Sequence, residues 1–154
     1  MRENAVQPQL ADDAHFAEGE SFVTEAPPPR PISVTGIWEL RLRGELVTAR
    51  LQRADSMLTR MRGLLGRKRL ERHEGMWIDP CDAIHMMFMR FAIDAIFLDA
   101  QQQVVKVAED VRPWRMARGG RYAHSVLELP QGTAAFFNVR VGDRMTLLPA
   151  PADD

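Results

Sequence analysis

The sequence predicts a mainly β fold, either a β-sandwich or a partly open β-barrel, with one short α-helix near residues 56–66. Two observations lead to this prediction. Most of the chain consists of short apolar or alternating runs separated by turn residues, which is typical of strands. A single segment changes to a helical period, and no strand–helix unit repeats in a way that would indicate a parallel sheet.

The first predicted element is a β-hairpin. Trp38, Leu40 and Leu42 alternate with polar residues, which is the pattern of a half-buried strand. Arg43-Gly44-Glu45 then supplies a turn, and the strand pattern resumes over residues 46–51. We therefore expect two antiparallel strands at the start of the domain.

The predicted helix follows this hairpin. Its apolar residues fall at i, i+1, i+4, i+7 and i+8, which places them on one helical face: Met57, Leu58, Met61, Leu64 and Leu65. Asp55 or Ser56 is placed to cap the first turn. Gly63 and Gly66 weaken the last turn, so the helix is expected to end near residue 66.

The rest of the chain is predicted to form strands. Two apolar runs, Ile84–Met89 and Ile93–Leu98, flank a tight connection at Arg90-Phe91-Ala92 and are expected to form a second hairpin. Residues 109–121 are expected to form a long loop, and residues 133–138 a short helical turn. The remaining predicted strands are 75–78, 104–108, 125–129 and 144–148.

The chain ends differ in composition from the middle. Residues 1–35 are predicted to be a disordered acidic arm, because six carboxylates and a proline run occur there without any apolar period. Residues 36–148 are predicted to be a single compact β-rich domain. Residues 149–154 are expected to be a frayed tail.

Composition excludes several classes of protein. The net charge of −1 argues against a protein built mainly to hold nucleic acid through its phosphates. The single cysteine, Cys81, excludes an intrachain disulfide and a cysteine-only zinc site. No apolar run has the length of a secretory leader or a membrane span, so the expected location is the cytoplasm. No cofactor fingerprint occurs, and no cofactor is expected.

Four separated motifs carry a family resemblance. They occur in the order Arg62–Arg67 with Gly75–Ile78, Ile84–Asp99, Val126–Leu129 with Gly132, and Val141-Gly142-Asp143. Together they resemble the bacterial and archaeal domain-of-unknown-function family 192 over roughly Glu39 to Leu148. The resemblance implies a compact, mostly β fold with one helix and implies no established activity. The chain resembles the histidine-bearing branch, because many relatives have an aromatic residue in place of His85, and a role common to all relatives therefore does not depend on that histidine.

His85 and Asp94 are candidate catalytic residues whose pairing depends on the predicted hairpin. A two-residue turn would place Asp94 on the same sheet face as His85, and a three-residue turn would place it on the opposite face. Only the first register allows a His–Asp general-base pair. The favoured alternatives are structural: a packed His85 bonded to a neighbour, and an Asp94 that caps the turn or pairs with an arginine such as Arg62 or Arg90.

His85, Met87 and Met89 are candidate metal ligands. In an extended strand these three side chains point to one face. An imidazole with two thioethers is a soft ligand set that suits Cu(I). Methionine is also a common flexible core residue, and core packing is the favoured interpretation.

The leading hypothesis is a small non-catalytic binding or accessory module. Its pocket or partner surface is predicted to contain Arg62, His85, Asp94 and Glu128, with Glu128 either on the exposed face of its strand or paired with Arg62 or Arg67. The expected partner is an unknown small molecule or protein. The alternatives are a small hydrolase or isomerase that uses the His–Asp pair and a Cu(I)-binding protein. No thiol-protease, serine-hydrolase or zinc-protease motif is present.

Overall fold

Two antiparallel-rich sheets account for most of the structure, which confirms the prediction of a mainly β fold. The computed structural model describes residues 36–55 and 64–151. Its elements are, in chain order, β1 (Ile37–Leu42), β2 (Glu45–Ala54), β3 (Glu74–Ile78), β4 (Ala83–His85), β5 (Ile93–Leu98), β6 (Val104–Val111), β7 (Met116–Arg118), β8 (Ser125–Pro130), α1 (Thr133–Phe136) and β9 (Met145–Pro149).

The first hairpin forms as predicted. Leu42 pairs with Glu45, and the two residues between them, Arg43 and Gly44, both have positive φ, at 52° and 83°. A two-residue turn of this kind matches the twist of antiparallel strands, and glycine adopts it without steric penalty. The Arg43-Gly44 pair therefore sets the register of β1 against β2.

Among the strands in the described residues, β2 and β3 form the one parallel pair. β2 and β3 run in the same direction, with Leu51 opposite Gly75, and residues 55–73 connect them. A parallel pair needs a long crossover connection, and the predicted helix lies within this one. Leu64 is helical and a turn through Gly66 follows it, in agreement with the predicted helix end. The remainder of the predicted helix, residues 56–63, lies outside the described residues.

The large sheet curls into a partly closed barrel. Its strand order is β6-β5-β8-β3-β2-β1-β9, so β6 and β9 are the outermost strands. These two strands meet at their beginnings, where Gln103 and Arg144 form a bridge. The Val104 N–H donates to the Asp143 carbonyl at 2.7 Å, and the Met145 N–H donates to the Gln102 carbonyl at 2.9 Å. Of the two predicted architectures, the structure therefore adopts the partly open barrel.

Each face of this sheet carries its own apolar core. In β5, Ile96 and Leu98 belong to the inner cluster, and Ala95 and Phe97 belong to the outer cluster. All seven strands contribute to the inner cluster, which also contains Ala134 from α1. The small sheet of β4 and β7 covers the outer face through Ile84 and Ala117.

The predicted second hairpin is wrong. β4 ends at His85 and pairs with β7, whereas β5 pairs with β6 and β8. The chain leaves the strand after His85 and turns, with the Met89 N–H donating to the Met86 carbonyl at 3.2 Å. Met86 and Met89 are buried while the two residues between them are exposed, so the apolar run does not alternate as a strand does. Short apolar runs do not reveal their own period, and that ambiguity produced the error.

Two further boundaries differ from the predictions. β7 lies inside the segment that was expected to be a loop, and β6 continues to Val111. At the C-terminal end β9 includes Pro149, and the Ala150 N–H donates to the Ile37 carbonyl at 2.9 Å, so the predicted tail starts too early. Residues 1–35 and 152–154, which include the predicted arm, lie outside the described residues. No helix in the described part has the length and apolar character needed to cross a bilayer.

Candidate functional site

Asp94 is a buried structural carboxylate. Its side chain lies on the inner face of β5 and is fully buried. Oδ1 accepts the N–H of Asp110 at 3.0 Å, at the bulge where β6 loses its register with β5. Oδ2 accepts the N–H of Ala134 at 2.9 Å and so ties α1 to the sheet. This pairing replaces the predicted turn cap and arginine partner, because two backbone donors satisfy the carboxylate.

His85 lies on the other side of the sheet from Asp94. It ends β4, which packs on the outer face through Ile84, while Asp94 points inward with Ile96. The two predicted hairpin registers therefore both fail, since β4 and β5 do not pair. The structure does not bring His85 and Asp94 together as a general-base pair.

Glu128 is also buried, and the prediction of an exposed strand face is wrong for this residue. It lies in β8 between Met76 of β3 and Ala95 of β5, on the outer face of the sheet, and is fully buried. Arg62 lies outside the described residues. Of the residues predicted to form the pocket or partner surface, Asp94 thus lies on the inner side of the sheet, and His85 and Glu128 lie on the outer side.

The three candidate copper ligands do not share one strand face. Only His85 belongs to β4, and the two methionines follow in a turn. Met87 is 45% exposed, whereas Met89 is buried at 5%. Among residues 36–55 and 64–151, no cluster of three or more His, Cys, Asp or Glu side chains is placed to hold a metal ion.

A surface that sequence reasoning missed lies on the small sheet. Four large apolar side chains are exposed there, between 45% and 63%, and we call them the β4–β7 surface: Met87, Phe88, Trp114 and Met116. The segments that carry them lie side by side, because Met86 N–H donates to the Arg115 carbonyl at 2.8 Å and Trp114 N–H donates to the Met86 carbonyl at 2.9 Å. The Phe88 and Trp114 rings meet edge to face, with centroids 5.1 Å apart.

The backbone beneath these two rings is strained. Phe88 and Trp114 have φ values of 64° and 67°, in the left-handed region that large side chains rarely adopt. Such conformations persist where the surrounding structure holds them, and they concentrate at functional sites. Both rings are exposed, so packing in the core does not account for the strained backbone at Phe88 and Trp114.

The same two segments are strongly cationic. Residues 85–90 and 112–118 contain no acidic residue and four exposed arginines: Arg90, Arg112, Arg115 and Arg118. Arg112 forms an exposed ion pair with Asp110, Nε to Oδ2 at 3.1 Å. A sequence signal for this surface exists in Arg112-Pro113-Trp114-Arg115, an acid-free aromatic segment inside a predicted loop, but the sequence gives no sign that Phe88 lies beside it.

A cluster of polar side chains lies at the C-terminal ends of the parallel strands β2 and β3. The Asp79 carboxylate accepts from Arg53 Nη2 at 3.2 Å and lies 3.2 Å from His124 Nε2. The Arg53 guanidinium also stacks over the Trp77 ring at 5.0 Å. Nearby, the Cys81 N–H donates to the His124 carbonyl at 2.8 Å, and Cys81 Sγ donates to the Ala83 carbonyl at 3.0 Å. These contacts join β2, β3 and the start of β8, which is a structural role.

Comparison with known proteins identifies the family. The sequence profile of domain-of-unknown-function family 192, described as "Uncharacterized ACR", matches residues 39–147. The chain belongs to this family. The matched region includes most of β1 and β9 and every element between them.

The chain is similar to proteins of archaea. The chain is similar to a UPF0127 protein of Thermococcus sibiricus, with 33% identity over 68% of this chain and 70% of that protein. It is also similar to a UPF0127 protein of Pyrococcus furiosus, with 32% identity over 67% of this chain and 90% of that one.

The fold of the chain also occurs in a solved structure. A crystal structure of a protein of unknown function from Novosphingobium aromaticivorans has a TM-score of 0.63 and 23% identity to this chain. The alignment covers 79% of this chain and 92% of that one. At this level of identity the similarity shows a shared fold.

Proposed function

We propose that this protein is a small non-catalytic binding module and that the β4–β7 surface binds an acidic segment of a partner protein. One observation carries the proposal: four large apolar side chains remain 45–63% exposed next to one another in segments with four arginines and no acid. Contiguous apolar surface of this kind marks interaction sites on soluble proteins.

Methionine and tryptophan suit a protein partner. Trp and Arg are enriched among residues that contribute most to protein–protein affinity. Met87 and Met116 have unbranched, polarizable side chains that repack against differently shaped partners. The Phe88–Trp114 ring pair is held by backbone hydrogen bonds before binding, which reduces the entropy lost when a partner docks.

Charge indicates the chemistry of the partner. The arginines of residues 85–90 and 112–118 favour carboxylates, which a guanidinium binds in a two-point geometry. A second copy of the chain would bring the same cations together, so charge disfavours self-association through this surface. An acidic peptide with an aromatic or aliphatic anchor matches both the apolar and the charged side chains.

The catalytic and copper alternatives have less support. A general-base pair needs its two members within hydrogen-bond reach, and Asp94 and His85 are separated by the sheet. A His–Met copper site needs its ligands around one point, and Met87 and Met89 differ sharply in exposure. His85 lies opposite Met116 in the small sheet and so borders the proposed binding surface.

The test selects peptides from a random phage-displayed library on the purified full-length protein. We expect enrichment of acidic peptides with aromatic or aliphatic residues. By calorimetry, the Trp114→Ser variant should bind an enriched peptide about 30-fold more weakly, as for the loss of a central aromatic contact. Arg115→Glu should also weaken binding, and Lys68→Glu, the same charge change at an exposed lysine outside the surface, should not.

Three outcomes would overturn the proposal. The first is no enrichment, and the second is enriched peptides that bind Trp114→Ser and Arg115→Glu as well as the parent protein. The third is a different class of ligand: Trp114-dependent flotation with phosphatidylserine vesicles, or salt-dependent binding of single-stranded DNA, in the absence of peptide binding.

A further inference from the structure

A cleft of about 370 Å³ lies at the α1 end of the barrel. The start of β2, the two residues before β3, the end of β8 and α1 form its walls. The lining residues come from three separate parts of the chain: Leu46, Val47, Arg72, His73, Pro130, Gln131, Gly132, Thr133, Phe136 and Phe137. Its volume lies in the range of small-molecule sites, about 300–1,000 Å³.

The walls of the cleft are mainly apolar. Leu46 and Phe136 are 39% and 78% exposed, so the cleft presents apolar surface to solvent. The Phe136 and Phe137 rings meet edge to face, with centroids 5.0 Å apart. An apolar ligand would shield this surface from water, which supplies the main favourable contribution to binding at such sites.

The charged residues of the lining are basic. Arg72 is exposed, and in the described part of the chain it forms neither an ion pair nor a hydrogen bond through its side chain. The neighbouring carboxylates are paired elsewhere, Glu71 with Arg69 and Glu74 with Arg67. His73 adds an imidazole beside Arg72, and no acidic residue lines the cleft.

The neutral polar groups of the lining already have partners. The Thr133 hydroxyl donates to the Pro130 carbonyl at 2.6 Å, and the Gln131 side-chain amide donates to Asp110 Oδ1 at 2.7 Å. Polar recognition of a ligand therefore rests on the basic pair Arg72 and His73.

We propose that the cleft binds a small apolar carboxylate, such as an aryl or medium-chain alkyl acid. The apolar group contacts Leu46, Phe136 and Phe137, and the carboxylate contacts Arg72, whose guanidinium matches its geometry. This site lies on different elements from the β4–β7 surface and does not depend on the function proposed for that surface.

The experiment compares 2-naphthoate with its neutral analogue 2-naphthalenemethanol. Each is titrated into ¹⁵N-labelled full-length protein, with affinity taken from calorimetry and location from amide chemical-shift changes. We expect shifts at Gly132, Phe136 and Phe137 and tighter binding of the carboxylate by about two- to fivefold, the scale of an exposed charge pair with good geometry.

Matched variants separate the two contributions. Arg72→Gln should bring the affinity for naphthoate down to that of the alcohol. Phe136→Ser should weaken both ligands, and it changes a residue exposed enough for the fold to tolerate it. Arg121→Gln, which changes an exposed arginine outside both the cleft and the β4–β7 surface, should change neither. Arg72→Gln should leave peptide binding at the β4–β7 surface intact.

The proposal is wrong if the two ligands bind equally to the parent protein, or if Arg72→Gln retains the preference for naphthoate. It is also wrong if the shifts map to other elements or if no binding occurs at millimolar ligand. Failure of peptide binding with retained naphthoate binding would reject only the function proposed for the β4–β7 surface.

Discussion

The inner and outer faces of the large sheet each contain a fully buried carboxylate, Asp94 on the inner face and Glu128 on the outer face. The two faces differ in how much apolar surface the elements around them leave exposed to solvent. On the inner face Asp94 binds the bulge of β6 and the start of α1, and the seven strands close around it. On the outer face β4 and β7 cover the core but leave the four apolar side chains of the β4–β7 surface in solvent. The inner face therefore stabilises the barrel through the contacts of Asp94. The small sheet of β4 and β7 on the outer face is the part whose apolar side chains are available to a partner.

This difference shows that a residue that stands out in the sequence, such as Asp94, need not belong to a functional site. Asp94 stands out in the sequence as a carboxylate in an apolar run, and its hydrogen bonds account for it fully as a structural group. Trp114 lies in a segment expected to be a loop, and its exposure and strained backbone lack a structural explanation. The candidate site lies where the fold leaves apolar groups exposed.

The largest expected effect on stability comes from removing the Asp94 carboxylate from the inner face of the sheet. Asp94→Ala would leave two backbone N–H groups without acceptors and should lower the free energy of unfolding by about 3–5 kcal/mol. Asp94→Asn keeps one acceptor and should lose about half as much. Urea denaturation followed by circular dichroism measures both. Equal stability of Asp94→Ala and the parent protein would show that the inner face does not depend on this carboxylate.

A smaller effect tests how firmly the outer layer is attached. A Cβ on Gly119, the residue after β7, would lie 2.4 Å from the Ala123 Cβ and 2.5 Å from Phe97 Cδ1. Gly119→Ala should therefore destabilise the protein by about 1–3 kcal/mol through overcrowding. Adding Ala123→Gly removes the nearest atom and should restore part of the loss. A single variant that melts at the temperature of the parent protein would mean that the outer layer is loosely packed.

The smallest expected effect concerns the strained rings of the β4–β7 surface. At position 114 glycine relieves the left-handed backbone strain that alanine retains. Trp114→Gly should therefore be about 1 kcal/mol more stable than Trp114→Ala, although neither should bind the partner peptide. Paired thermal unfolding curves give this difference. If the alanine variant is as stable as the glycine variant, the backbone at Trp114 stores no strain.

The sequence by itself determined the local elements and the family. The Arg43-Gly44 turn, the short strand before Asp79 and the short helical turn at Thr133 all follow from neighbouring residues, whose conformational preferences act over a few positions. The four motifs likewise predicted the family to which the chain belongs.

Only the tertiary structure decided which residues meet. The run Ile84–Leu98 predicts an apolar hairpin, but the pairing of β4 with Met116–Arg118 depends on residues some thirty positions away. That pairing put His85 and Asp94 on opposite sides of the sheet and exposed Trp114 beside Phe88. The cleft at α1 likewise joins residues from Leu46 to Phe137. Strand pairing and the closing of a cleft are set by the packing of distant segments, and no local pattern in the sequence carries that information.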